Sequence, residues 1–176
     1  DVGSEVVQDV LEQIDLLKSC LFDGVTLPRG CENVPPRIIS AYHSFEVARA
    51  ESGIRTFSDL VVDPVRLAVG DAEVRRYFAN RYDHLIIDEF QDINESQMTL
   101  VRLVAGTRAQ VMAVGDDDQT IYVWRGARPD YMTHRFVDMF PNSTRYVLSS
   151  TFRYGEMLSA AANNVIQHNL TRMPKA

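Results

Sequence analysis

The chain has 176 residues, 45% of them apolar, 24% charged and 9% aromatic, a balance that suits one globular domain or parts of two and excludes a disordered chain. No apolar run reaches the roughly 18–20 residues of a membrane span, and a net charge of −6 excludes a surface that is a nucleic-acid footprint throughout. Of the eighteen basic residues only Lys18 and Lys175 are lysines, so chemistry that demands a lysine must use one of those two.

From Ser4 to about Leu21, Val6/Val7, Val10/Leu11, Ile14, Leu17 and Leu21 recur at three- and four-residue steps, which predicts an amphipathic helix. Residues 24–36 hold three prolines and two glycines and read as a loop. A helix follows over Ile38–Ala50, and Thr56-Phe57-Ser58-Asp59-Leu60 opens another. Asp63-Pro64 reads as an N-cap with a first-turn proline, hence a break and restart. Asp71 caps a short helix ending near Tyr82. Residues 1–83 are thus mostly helical, with no catalytic constellation.

At His84 the texture changes. Leu85-Ile86-Ile87 is a short β-rich run ending in Asp88-Glu89, the way a buried parallel strand meets a site at its carboxyl end. Asn94 caps a helix to Ala105, stopped by Gly106, with Met98, Val101 and Ala105 on one face. Val111-Met112-Ala113-Val114 then runs into Gly115-Asp116. Strand, helix, strand predicts a βαβ unit in a parallel sheet. Pro129 starts a helix carrying Met132, Phe136 and Met139/Phe140, Tyr146-Val147-Leu148 reads as a third strand, and Gly155 to about His168 is the last helix.

Cys20 and Cys31 are too few for a disulfide framework and lack metal-ligand spacing, which points to a reducing, cytoplasmic setting. No histidine pairs with another His or Cys as a zinc site would require. The start, Asp1-Val2-Gly3-Ser4, has neither a Met nor a leader pattern, and the chain reads as a piece of something longer.

The chemistry concentrates after His84. Asp88, fixed at a strand end, can hold Mg²⁺, and Glu89 can orient and deprotonate a water for attack on a γ-phosphate. Alone, two acids after an apolar run serve equally as a capped turn or surface acids; Asp88-Glu89-Phe90-Gln91-Asp92 is far more specific. Further on, Gly115 lets the backbone turn off the strand and Gln119 is a neutral side chain able to sense a phosphate or its water. Asp116, Asp117 and Asp118 repel one another unless solvated, capping a turn or near a cation. Tyr122 and Trp124, flanked by Arg125 and Arg128, combine π-faces with positive charge as a single-strand stacking platform does; the competing reading of a lone Trp is a core residue. Arg153, just past the third run, can neutralise a transferring phosphoryl group, or simply be surface arginine.

The strings Asp88-Glu89-Phe90-Gln91-Asp92, 114–127 (VGDDDQTIYVWRGA) and 148–153 (LSSTFR) resemble helicase motifs II, III and IV of the UvrD/Rep/PcrA family of superfamily 1 DNA helicases, in order and spacing, over about Thr56 to Asn169. The resemblance implies an α/β fold, part of a RecA-like parallel sheet of the P-loop NTPase kind, behind a mainly helical N-terminal part. It divides the chain into a helical region over 1–83 (subdomain 1B), the later half of the first RecA-like domain over 84–150, and the opening of the second over 151–176. It implies ATP and Mg²⁺ as cofactors, single-stranded and duplex DNA as partners, no membrane, and a parent that couples ATP hydrolysis to 3′-to-5′ translocation and unwinding. Asp88 and Glu89 then serve Mg²⁺ and water activation, Gln119 couples the γ-phosphate to DNA, Arg153 contacts the γ-phosphate, and Tyr122, Trp124 and Arg125 meet single-stranded DNA.

Two departures stand out within the motifs: the family's Asn-Tyr-Arg-Ser is Thr151-Phe152-Arg153-Tyr154, and Val123 replaces a small, polar or charged residue. No phosphate loop G-x-x-x-x-G-K-[ST] is present, since Lys18-Ser19 follows Leu16-Leu17 on a helix and Lys175 stands at the end. An inactive fragment of a helicase is therefore expected. A degenerate helicase-like binding module, a two-metal nuclease and an unrelated P-loop ATPase are the alternatives, the last two having no use for the Tyr-Val-Trp-Arg string.

Overall fold

The structure, a computed structural model, describes residues 2–79, 81–169 and 173; Lys175 lies outside them. Four helices come first: α1 (Val2–Ser19), α2 (Pro36–Glu51), α3 (Asp59–Gly70) and α4 (Ala72–Ala79). Then follow β1 (His84–Ile87), α5 (Glu95–Ala105), β2 (Gln110–Ala113), a π-helical turn (Tyr131–Arg135) running into α6 (Phe136–Met139), and α7 (Glu156–Ile166). None of the described helices is long and apolar enough to cross a membrane.

α1 and α2 form where the periodicity puts them, but of the predicted stripe of α1 only Ile14 and Leu17 are buried, while Val6, Val7 and Leu11 are exposed and Leu21 lies past the helix end. Ile14, Leu17, Cys20, Phe22, Cys31, Ile38 and Tyr42 close into one buried cluster between α1 and α2, with both cysteines as free thiols inside it. Asp71 caps α4 as expected, its Oδ1 accepting the Glu73 N–H at 2.7 Å, but the helix ends at Ala79 rather than near Tyr82.

One expectation, from proline, fails here. Pro64 sits inside α3, which runs unbroken past it. The proline forfeits a single backbone bond, and burial of Val62, Val65 and Ala68 along one stripe outweighs that loss. Lys18 is fully buried. Its Nζ lies 2.7 Å from Asp59 Oδ1 and 3.0 Å from Glu46 Oε1, and donates to Thr56 Oγ1 at 3.3 Å. Arg49 closes the network, donating to both Glu46 oxygens and standing 3.5 Å from Asp59. Burial works to raise the Asp59 and Glu46 carboxyls, but the hydrogen bonds from Lys18, Thr56 and Arg49 outweigh it and hold both below the usual carboxylate range.

β1 and β2 pair in parallel, His84 opposite Gln110 through Ile87 opposite Ala113. Leu85, Ile87, Val111 and Ala113 point to the covered face, while Ile86 and Met112 face outward. The connecting α5 begins with a capping box: Asn94 Oδ1 accepts the Gln97 N–H at 2.9 Å and the Gln97 side chain accepts the Asn94 N–H at 3.0 Å. Met98 and Ala105 are buried and Val101 packs beside them. Helices α3 and α4 pack on α5, and the end of α1 packs on the turn Val123–Arg125, so residues on both sides of position 83 share contacts.

The region after β2 departs from expectation. Pro129 does initiate helix, yet the first turn is π-helical and α6 is a single further turn. Phe136 packs edge-on against Phe90 at 5.5 Å and lies 4.9 Å from Phe140. Tyr146-Val147-Leu148 is not a strand: residues 144–150 carry no regular structure, and Leu148 is 88% exposed. A β-prone run becomes a strand only beside a partner, and among the described residues none pairs with it.

Candidate ATP and nucleic-acid site

The parallel pair places its two acidic loops side by side. Pairing continues past the strands, with the Val114 N–H donating to Ile87 O at 2.8 Å and the Phe90 N–H to Val114 O at 2.9 Å. Asp88 and Glu89 emerge exposed where the first loop leaves the sheet. Glu89 holds φ 50°, in the left-handed region. For a residue with a Cβ that conformation costs about 1 kcal/mol or more. It is held by the Glu89 N–H donating to Asp88 Oδ1 at 2.9 Å and by the Asp92 N–H donating to Glu89 O at 3.0 Å. The sharp reversal throws Phe90 into the core, 2% exposed, and leaves the two carboxylates outside. Burial, and next the Glu89 charge, push the Asp92 carboxyl above its ordinary range.

Gln91 is the residue that sequence reasoning passed over. It is 1% exposed, its Nε2 donates to Glu89 Oε2 at 2.6 Å, and its Oε1 accepts the Asp116 N–H at 3.1 Å. Gly115 is explained by the same contact. A Cβ there would stand 2.6 Å from Gln91 Oε1, so the glycine answers a close approach, and its φ is not among the positive ones, contrary to the sharp turn expected of it.

In the second loop the carboxylates of Asp116, Asp117 and Asp118 gather within 4.8 Å of one another. Their repulsion is met by donors. Asp116 accepts from the Asp118 N–H at 3.2 Å and from Gln119 Nε2 at 2.8 Å; Asp118 accepts from Asn169 Nδ2 at 3.0 Å and Asp117 from the Met173 N–H at 2.6 Å. The turn is therefore half-buried and tied to the C-terminal segment, not solvated. Gln119 itself is exposed beside Asp116.

The same loop continues into the aromatic turn. Tyr122 and Trp124 are 39% and 56% exposed, their rings 6.5 Å apart and tilted by 52°, so Trp124 is not a core residue. The Arg125 guanidinium lies 4.9 Å from the Trp124 ring. Gly126 seats this turn on α1: its φ is +89°, and a Cβ would meet Ser19 Oγ at 2.5 Å. Arg128, grouped with the platform by sequence, is spent elsewhere. It donates to both Asp130 oxygens at 3.2 and 3.0 Å and stands 3.7 Å from Glu95. The buried Tyr131 donates its hydroxyl to the same Glu95, pinning the segment to the start of α5.

Asp88, Glu89, Gln119, Tyr122, Trp124 and Arg125 are thus carried by two adjacent loops. Arg153 is not brought in: it lies in an exposed, irregular stretch, its N–H donating to Thr151 Oγ1 at 3.4 Å. Among the described residues no hydrogen bond or ion pair links its guanidinium to the acidic loops.

A parallel strand–helix–strand unit with acidic loops at its carboxyl edge and an exposed aromatic turn beyond them is the frame of this site. The sequence model of the UvrD/REP helicase N-terminal domain matches residues 9–139, and the chain belongs to that family. It is 34% identical over 134 residues to DNA helicase II of Escherichia coli K12, covering 76% of this chain and 18% of that one. Against the ATP-dependent DNA helicase Rep of the same organism it is 38% identical over 128 residues, 73% and 19% of the two chains. Against the ATP-dependent DNA helicase PcrA of Staphylococcus aureus Mu50 it is 35% identical over 143 residues, 76% and 20%. The chain spans about a fifth of the length of these relatives.

Proposed function

We propose that this chain carries the acidic half of the ATP site, and the start of the DNA track, of an ATP-dependent DNA helicase that moves 3′ to 5′ on single strands and unwinds duplex. The observation that carries the reading is the pairing of the Asp88-Glu89 turn with the loop that runs without interruption into Tyr122 and Trp124. Residues 1–83 are the helical insertion, 84–150 the later half of the first RecA-like domain, and 151–176 the beginning of the second.

The donor set fits Mg²⁺, which takes carboxylate oxygens with several waters: Asp88 and Glu89 are exposed carboxylates on a rigid strand end. When bound with ATP, the ion neutralises charge on the β- and γ-phosphates. Glu89 accepts the proton of the attacking water, and Gln119, held by Asp116, is placed to sense the phosphate end of the nucleotide. Arg153, exposed in an irregular stretch here, is the arginine that would contact the γ-phosphate. The backbone amides and lysine of a phosphate loop come from outside these 176 residues, so the chain alone hydrolyses no ATP.

Trp124→Ala in the full-length protein tests the reading. Base stacking is worth about 1–3 kcal/mol, so the affinity for single-stranded oligonucleotide should drop roughly five- to hundredfold. DNA-stimulated ATPase should fall with it while DNA-free turnover is kept. Unchanged DNA binding and unchanged stimulation would contradict the proposed platform.

A further inference from the structure

Gln91 joins the two acidic loops through a single buried amide. A carboxylate can only accept and a backbone N–H can only donate, so the amide orientation is forced: Nε2 on Glu89 and Oε1 on Asp116. No other side chain among the described residues bonds the Glu89 carboxylate. From Asp116 the connection continues to Gln119 Nε2, and the backbone runs on to Tyr122 and Trp124. Gly115 leaves room for this amide and for nothing larger than a hydrogen beside it.

We propose that Gln91 is a positioning residue that sets the rotamer of Glu89 according to the placement of the Asp116 loop, so that DNA seated on Tyr122 and Trp124 governs how well Glu89 is aimed at water. The inference rests on the assignment of Glu89 given above. A displacement of the Asp116 N–H moves the Gln91 amide, and the amide moves the carboxylate it holds at 2.6 Å. With the amide gone, Glu89 keeps its charge and loses its orientation, and catalysis depends steeply on such placement.

The test measures ATP turnover of the full-length protein with and without saturating single-stranded DNA, for Gln91→Leu and Gln91→Met. The leucine removes both bonds; the methionine keeps the side-chain length and adds no charge, with no donor for Glu89 and at most a weak acceptor for the Asp116 N–H. In each, the ratio of DNA-stimulated to DNA-free kcat should fall by about fivefold or more, with KM for ATP within roughly threefold. An unfolded fraction lowers both rates equally and leaves the ratio untouched, so a merely structural role does not move it. If the leucine variant fails to fold, the methionine variant decides. A ratio that falls less than about fivefold, while Glu89→Gln abolishes turnover, overturns the role of Gln91 alone. Full turnover in Glu89→Gln would overturn the reading of the site, and this inference with it.

Discussion

Glu89→Gln in the full-length protein should bind ATP within roughly threefold of the unmodified protein and turn it over about 10²–10⁴-fold more slowly, the usual worth of a positioned general base. The substitution is nearly isosteric, and the new amide can turn its oxygen to accept from Gln91 Nε2, which keeps its orientation. The left-handed turn at Glu89 is fixed by backbone donors and does not need the carboxylate, so the fold survives. What disappears is the proton acceptor. Steady-state kcat with binding of a non-hydrolysable analogue separates the two effects. Turnover within tenfold of the unmodified protein would show that the base lies elsewhere.

Lys18→Met should lower stability by about 3–5 kcal/mol, because it strands Asp59 and Glu46 as buried or part-buried charges without their shared cation. Asp59 is fully shielded, and among the described residues its Oδ1 has no partner other than this ammonium. Adding Asp59→Asn to Lys18→Met should recover part of the loss by removing the stranded charge, the signature of a coupled pair. Because both carboxyls are held below their ordinary values near about 4, their contribution to stability is present above that pH. It drains away as pH falls through the lower folded values. Denaturation midpoints at pH 7 and pH 3 check both statements. A loss below about 1 kcal/mol would place this cluster with surface ion pairs.

Lys18 also marks where sequence reading stops. The spacing of Ile14 and Leu17 marks the buried face of α1, but nothing local shows that Lys18 is buried beside them, since its partners Glu46, Thr56 and Asp59 come from α2 and the start of α3. The Asn94 cap and the Gly106 stop were legible because caps are local. The third strand was not, because Tyr146 to Leu148 have β-propensity and no neighbour to pair with. Pro64 misled for the opposite reason: a strong local rule was overridden by the stripe of Val62, Val65 and Ala68.

The acidic and aromatic residues of the site were legible as motifs, since residue type and spacing persist in the linear chain. Their connection was not. Gln91 sits in the middle of the most specific string of the first loop, yet its bond to the Asp116 N–H joins the loops of two strands that no spacing shows to be neighbours. Arg128 shows the converse. Adjacent to the aromatic turn in sequence, it belongs in space to Asp130 and Glu95, which leaves Arg125 as the cation against Trp124.

The central claim is that the two loops joined across β1 and β2 link ATP hydrolysis to single-stranded DNA. Titrating a single-stranded oligonucleotide into the full-length protein while following steady-state ATP hydrolysis tests it most directly. The rate should rise saturably with DNA, and the rise should be absent in Glu89→Gln. ATP hydrolysis indifferent to DNA across the titration would contradict it.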